Sequence, residues 1–268
     1  MQYIEQLNNL YNNNITYVSK YQPFLFKNYQ ENYEENKDAY EYLKVLYIKD
    51  LWVTETQPSI NEGETEELVI QYIETGEIHN LSQKEIQTIK NINYTVNKYI
   101  TYNNPNPIIS LDIIHTIHTD LMKGLLHPDF IGNYRKNYVK AHNSNMEYAN
   151  YKIIHTKLEQ LINFFNNTQT SNTNQHILKS IIFFSEFLRI HPYKDGNGRT
   201  ARIIFNYMIQ HLIICPISLC SSLSLRHTYI NVLEARSDCL VKYDDIKNLI
   251  DYIFTRIEKT YITFLSVC

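Results

Sequence analysis

Apolar residues recur three and four positions apart along most of the chain, the spacing of one face of an α-helix. From Lys37 to about Thr56 these positions include Tyr40, Leu43, Leu46 and Tyr47, which predicts a helix over that stretch. "ETEELVIQYIETG" predicts another, with acids in its first turn and Gly76 as its stop. "SQKE", Ser82 to Glu85, is a capping box opening a longer helix towards Tyr102. "NPNP" breaks that helix, and Ser110 caps the next, "LDIIHTIHTDLM". "KLEQLINFF" is helical again, and polar "NNTQTSNTNQ" links it to the apolar run "ILKSIIFFSEFLRI". "IIFNYMIQHLII", "RHTYINVLEARS" and "DDIKNLIDYIFTRIEKTYITFL" complete the helical pattern.

Residues 127–155 break this rhythm. "HPDFIGNYRKNYVKAHNSNMEYANYKII" mixes turn residues with short alternating stretches, the signature of a loop and a small hairpin. No internal repeat is present. The expected fold class is all-α, a helical bundle with one small β-hairpin.

Composition supports that reading. Six glycines and seven prolines are few for 268 residues, against usual shares of about 7% and 5%. Strand-rich folds and glycine-rich dinucleotide sites need more turns. A net charge of −3 implies no bulk attraction to nucleic acid or anionic lipid. The amino terminus "MQYIEQLNNLYNNN" lacks the basic and apolar stretches of a signal peptide. The most apolar window, "YMIQHLIICPISLC", is interrupted by Gln210, His211 and Pro216 and is too short to span a bilayer. Cys215, Cys220, Cys239 and Cys268 show neither a disulfide framework nor zinc spacing. The expectation is a cytoplasmic protein with reduced thiols, delivery into a host cell remaining open.

Two of the six glycines fall within "HPYKDGNGRTAR", residues 191–202, between two apolar helices. The preceding helix would present its negative end to His191, keeping the imidazole basic and easily protonated. The following helix would present unsatisfied N–H groups, and Gly196 and Gly198 let the backbone turn those amides into a phosphate-sized nest. Asn197 adds a side-chain donor. Arg199 and Arg202 carry guanidinium forks that match phosphate oxygens, and Asp195 is placed to hold Mg²⁺ between the phosphates of a nucleotide. A base, a metal-binding acid, an anion nest and two arginines make a phosphoryl- or nucleotidyl-transfer site. His115 and His118, three apart on one helix, have a spacing that can bind metal, but no third ligand is evident, so a core or surface place is expected.

The loop resembles the signature of the Fic family, H-P-F-x-[D/E]-G-N-G-R-x-x-R, with Tyr193 where phenylalanine is usual. That side chain is expected to anchor inward. "LDIIHTIHTDLM", "GNYR" at Gly132 to Arg135, the hairpin zone and "YINVLEA" are similar to further Fic segments, so the resemblance spans roughly residues 105–255. It implies a Fic-type helical bundle with a hairpin flap. The chain then divides into an N-terminal helical region, 1–104, a Fic core, 105–255, and a C-terminal helix end, 256–268.

The resemblance also implies a protein adenylyltransferase that moves AMP from ATP to a Ser, Thr or Tyr hydroxyl of a target protein. His191 would be the catalytic base and Asp195 the Mg²⁺ ligand. Gly196, Asn197, Gly198, Arg199, Thr200, Ala201 and Arg202 would bind the nucleotide, with Arg202 on the γ-phosphate and Tyr229 near the adenine. The flap, near Ala141 to Ile154 and including Ala141, His142 and Asn143, would hold the target by strand addition. Many Fic proteins carry an inhibitory helix, [S/T]-x-x-x-E-[G/N], whose glutamate pairs with the last arginine of the motif. "PSINEG", within residues 56–64, resembles it, with Pro58 in the Ser/Thr position and Glu62 as the candidate. The competing reading of Glu62 is an exposed glutamate in a loop.

Three alternatives stand beside this one. A Doc-type Fic kinase is disfavoured by Gly196 and Gly198, where that branch has Ala and Lys. Removal of AMP by the same site remains open, as does a helical adaptor that binds nucleotide without chemistry, although the intact His191 weighs against the last. Self-modification and a homodimer are likewise open.

Overall fold

A computed structural model describes residues 2–21, 34–56, 62–101, 107–139, 148–220, 222–237 and 246–268. Ten α-helices run through them: α1 Gln2–Val18, α2 Lys37–Thr56, α3 Glu62–Thr75, α4 Gln83–Tyr99, α5 Leu111–Met122, α6 Ile154–Asn167, α7 Thr173–Ile190, α8 Asn197–Ile209, α9 Leu223–Ser237 and α10 Ile246–Val267. No strand occurs among the described residues.

Helix α7 is the axis of the bundle. It is apolar on nearly every side, and Ile177, Leu178, Ile181, Ile182, Phe183, Phe184, Phe187 and Ile190 are all buried. A helix without a polar face must be covered all round. Here α1, α6, α8, α9 and α10 cover it. Helix α8 packs along α7 and is covered on its other sides by α2, α4 and α5. One apolar cluster runs from Leu7 in α1 to Ile257 in α10. The expected N-terminal region therefore shares the core of the region after it, and α10 continues unbroken past residue 255.

The capping signals act as the sequence predicts. Ser82 and Glu85 form a full capping box, and the Ser110 hydroxyl accepts the Ile113 N–H at 3.2 Å. Gly76 follows α3 at φ +74°, with its N–H on Tyr72 O at 2.9 Å.

Two expectations are corrected. The helix expected through Ile214 stops at Ile209; beyond it the turn tightens, with the Leu212 N–H on Ile209 O at 2.9 Å, and the Gln210 side chain holds the Thr101 N–H at 2.6 Å and the Tyr99 carbonyl at 3.1 Å. The expected β-hairpin is absent from the described part of 127–155. That part carries single 3₁₀ turns at Pro128–Phe130 and Tyr151–Ile153, with His127 and Asn150 side chains capping them, before α6 begins. Residues 140–147, with Ala141, His142 and Asn143, lie outside the described residues. Helix α1 is a segment that the apolar spacing did not lead us to expect. Cys215, Cys220 and Cys268 are free thiols, and Cys239 lies outside the described residues.

Candidate active site

The loop 191–196 joins the end of α7 to the start of α8, and its shape is set by two left-handed residues. His191 caps α7 at φ 50°, ψ 62°, with its N–H on Phe187 O at 3.0 Å. A non-glycine residue in that region costs energy that its surroundings must offset. Gly196 sits before α8 at φ +78°, and a Cβ there would lie 2.5 Å from Met122 Sδ. Only glycine fits both the dihedral and the gap.

Between them, Tyr193 and Asn197 clasp the loop. The Tyr193 N–H donates to Asn197 Oδ1 and Asn197 Nδ2 donates back to Tyr193 O, each at 2.9 Å. Tyr193 is fully buried, as expected of an anchor. Its hydroxyl, absent from the family's usual phenylalanine, meets His115 Nδ1 at 3.0 Å, and His115 Nε2 meets the Tyr134 hydroxyl at 3.1 Å. His118 bonds Asp195 O at 3.0 Å through Nε2 and accepts the Gly132 N–H at Nδ1, 2.9 Å. The two histidines thus hold the loop from beneath, and no group of three or more metal-ligating side chains occurs among the described residues.

Asn197 therefore spends its side chain on the loop and contributes to the nest through its backbone. Thr200 N–H makes an intrahelical bond to Gly196 O at 3.0 Å. The amides of Asn197, Gly198 and Arg199 precede it, in the first turn of α8, where helix N–H groups lack intrahelical acceptors and the dipole favours anions. Thr200 and Ala201 turn their side chains into the core. Arg199 is almost buried and approaches Asp195 at 3.8 Å. The Asp195 carboxylate is 55% exposed, open to a cation, and its Oδ1 also accepts the Gly196 N–H at 2.6 Å.

His191 does not have the basic imidazole expected from the helix end. Burial first, then the nearby Arg135 charge, lowers its pKa to about 4. The ring is stacked on Tyr148, 3.8 Å between centroids and 18° between planes. Desolvation outweighs the dipole, and the imidazole is neutral at neutral pH.

Arg135 is the residue whose importance the sequence concealed. Its Nε donates to His191 O and its Nη1 to Asn137 O, both at 2.7 Å. Its Nη2 reaches Ala149 O, and Ile190 O at 3.2 Å. Its own N–H donates to Pro192 O at 2.9 Å. One guanidinium thereby fixes three stretches of backbone around His191. The only sequence signal was its place in "GNYR".

Arg202 points the other way. It is 1% exposed, and its Nη1 pairs with Asp50 Oδ1 of α2 at 3.0 Å. Its guanidinium also lies 5.9 Å from the ring centre of Tyr229, which is buried. Tyr229 is thus beside the last arginine of the loop. Glu62 is the first residue of α3, and its side chain lies outside the described residues, as does the "PSIN" before it.

Residues 108–209 match the Fic/DOC family model. A probable protein adenylyltransferase of Aquifex aeolicus is 27% identical over 170 residues, which are 63% of this chain and 44% of that protein. Among solved structures, a Fic domain containing signaling protein of Bacteroides thetaiotaomicron superposes with a TM-score of 0.65 at 16% identity, covering 99% of this chain and 97% of that one. A Fic family protein of Desulfovibrio desulfuricans superposes at 0.67 and 16% identity, over 98% of this chain and 75% of that one. Fic-1 of C. elegans gives 0.67 and 16%, over 99% and 71%. At such identity the structures speak for the fold alone, and residues 108–209 are the part of the chain that is similar to the Fic/DOC family.

Proposed function

We propose that the chain is a protein adenylyltransferase, moving AMP from ATP to a hydroxyl side chain of another protein. The observation that carries the reading is a neutral, partly buried imidazole at His191, in the short loop that leads into the first turn of α8. A target Ser, Thr or Tyr oxygen attacks the α-phosphorus as its proton passes to the His191 ring. The bond from that phosphorus to the bridging oxygen breaks, and pyrophosphate leaves. The amides of Gly198 and Arg199 and the Arg199 guanidinium face the developing negative charge, the arrangement that lowers such barriers most. Mg²⁺, when bound, neutralises phosphate charge. The exposed Asp195 carboxylate suits it, because this ion commonly takes one or two protein carboxylates and completes its shell with phosphates and water.

The regulatory part of the proposal is that a carboxylate of the N-terminal region restrains Arg202 and keeps it from the terminal phosphate. Glu62 and Asp50 are the two candidates, and Asp50 is the one whose contact with Arg202 is described. The target, its modified side chain, self-modification and a homodimer belong to the same proposal. No helix among the described residues is long and apolar enough to cross a membrane.

The deciding experiment incubates purified protein with cell lysate and ATP labelled at the α- or the γ-phosphate. Label in a protein band from α-labelled ATP alone supports adenylyl transfer. Label from γ-labelled ATP alone replaces it with a kinase.

A further inference from the structure

His118 has no place in the chemistry above, yet it is completely buried under the phosphate-binding loop. Its two ring nitrogens have different partners. The Gly132 N–H donates to Nδ1, so that nitrogen carries no proton. The proton of the neutral ring is then on Nε2, where the Asp195 carbonyl accepts it at 3.0 Å. The ring is enclosed on all sides, which favours this neutral form. Tyr193 stacks on one face, 3.7 Å between centroids and 12° between planes, which fixes the ring's orientation.

The partner carbonyl belongs to the peptide that joins Asp195 to Gly196. In a trans peptide the C=O and the N–H point in opposite directions. Drawing the Asp195 oxygen down onto His118 therefore turns the Gly196 N–H up and outward, where it donates to Asp195 Oδ1 at 2.6 Å. A continuous chain results, from Gly132 through His118 and one peptide plane to the carboxylate proposed to hold the metal.

We propose that His118 is a positioning residue of the site, setting the plane of the Asp195–Gly196 peptide and, through the Gly196 amide, the direction of the Asp195 carboxylate. Without the Nε2–H donor that peptide is free to rotate, which would take the Gly196 amide from the Asp195 carboxylate and swing that carboxylate away from the phosphates. Gly196 gives the loop the freedom to do this, since a glycine at φ +78° resists rotation least. The second bond, from Gly132, ties the "GNYR" turn to the same ring, so His118 sets the loop and the turn against each other.

The inference rests on the adenylyltransferase reading, and the two nitrogens supply a test that separates it from a packing role. In His118→Gln the side-chain amide reaches the place of Nε2 and keeps a donor for Asp195 O. In His118→Asn the side-chain oxygen reaches the place of Nδ1 and keeps an acceptor for Gly132 alone. Both lose one bond and both shrink the ring, so their thermal midpoints should fall together. Mg²⁺-dependent ATP binding and single-turnover AMP transfer should part them. The Gln variant is expected to stay near wild type and the Asn variant to lose about tenfold to a hundredfold in Mg²⁺ affinity and transfer, the usual cost of removing a group that orients a metal ligand. If the Asn variant does not fold, His118→Leu, which keeps neither bond, takes its place. Equal loss in Gln and Asn variants of equal stability, or losses that simply follow the thermal midpoints, would overturn the inference. Failure of wild type to transfer α-label would instead sink the adenylyltransferase reading, with the Mg²⁺-binding comparison still deciding the role of His118.

Discussion

Asp50 and Arg202 stand 152 positions apart and meet at 3.0 Å, the acid fully buried and the arginine 1% exposed. The pair lies where α2 crosses α8. Asp50 Oδ2 accepts the Cys220 N–H at 3.0 Å, and Oδ1 also accepts the Thr54 hydroxyl at 3.0 Å. Arg202 Nε donates to Gly198 O at 3.2 Å, in the first turn of α8. One carboxylate thus joins the N-terminal helices, the 215–220 loop and the candidate active site.

Removing one partner of such a pair leaves the other charge buried without the carboxylate or guanidinium it faces. Asp50→Ala should therefore cost about 3 to 5 kcal/mol of stability. Replacing both, Asp50→Leu with Arg202→Met, should cost much less than the sum of the two single changes. Urea unfolding of the two single changes, their double and Asp50→Ala checks this, and additive losses would show that the two groups are not coupled.

His191→Ala should lower transfer by about 10² to 10⁴-fold, the usual worth of a positioned base, while ATP binding stays close to wild type. Isothermal titration and α-label transfer read the two quantities separately. A folded variant that loses nucleotide binding to the same degree would show that His191 is a binding group and not the base.

Glu62→Gly should raise labelling of self and target if Glu62 restrains Arg202. A charge-assisted contact of about 1.5 to 3 kcal/mol corresponds to roughly tenfold or more in the population of the released state. A time course with α-labelled ATP gives the answer. Equal labelling by wild type and variant would remove Glu62 from the mechanism.

Acid should unfold this protein early. Burial lowers the pKa values of His118 and His191 to about 4 and that of His176 to about 3. In the unfolded chain these rings titrate near 6.5, so below that pH the unfolded state binds protons that the native state refuses. Stability is then lost as pH falls from about 6.5 towards 4, at about 1.4 kcal/mol per pH unit for each such histidine. Denaturant midpoints between pH 7 and 4.5 should fall steeply, and a flat profile would mean the rings are protonated in the native state. For the same reason His191 should not limit transfer between pH 5 and 8.

The loop 191–202 was readable because its chemistry is contiguous: a few adjacent residues turn the chain, present the amides and carry the charges. The helix caps were readable for the same reason. What escaped was what the fold assembles from distant segments. Asp50 falls in the stripe Leu43, Tyr47, Leu51 and Thr54 of α2, and an acid on an apolar face needs a buried partner. That signal said a cation was required, but not which one. His118 sits in the stripe Ile114, Ile117 and Leu121 of α5 in the same manner. Helix α1 was missed because asparagine, a weak helix former, dominates it. Its buried Leu7, Leu10, Tyr11, Asn14 and Val18 nevertheless keep helical spacing, and Asn14 is accommodated by donating to Leu10 O at 2.9 Å. The pKa of His191 was misjudged because a dipole can be read from sequence, whereas burial and a cation brought in from residue 135 cannot.

The bonds that Arg135 makes around His191 all end on main-chain carbonyls. Every residue type supplies the same carbonyl, so positions 137, 149 and 190 can change identity without loosening the clasp. Position 135 has no such freedom, since lysine cannot spread several fixed donors across one plane. Relatives of this chain should accordingly drift in sequence around His191 while keeping its mooring, so the surface near that ring can diversify without disturbing the ring itself.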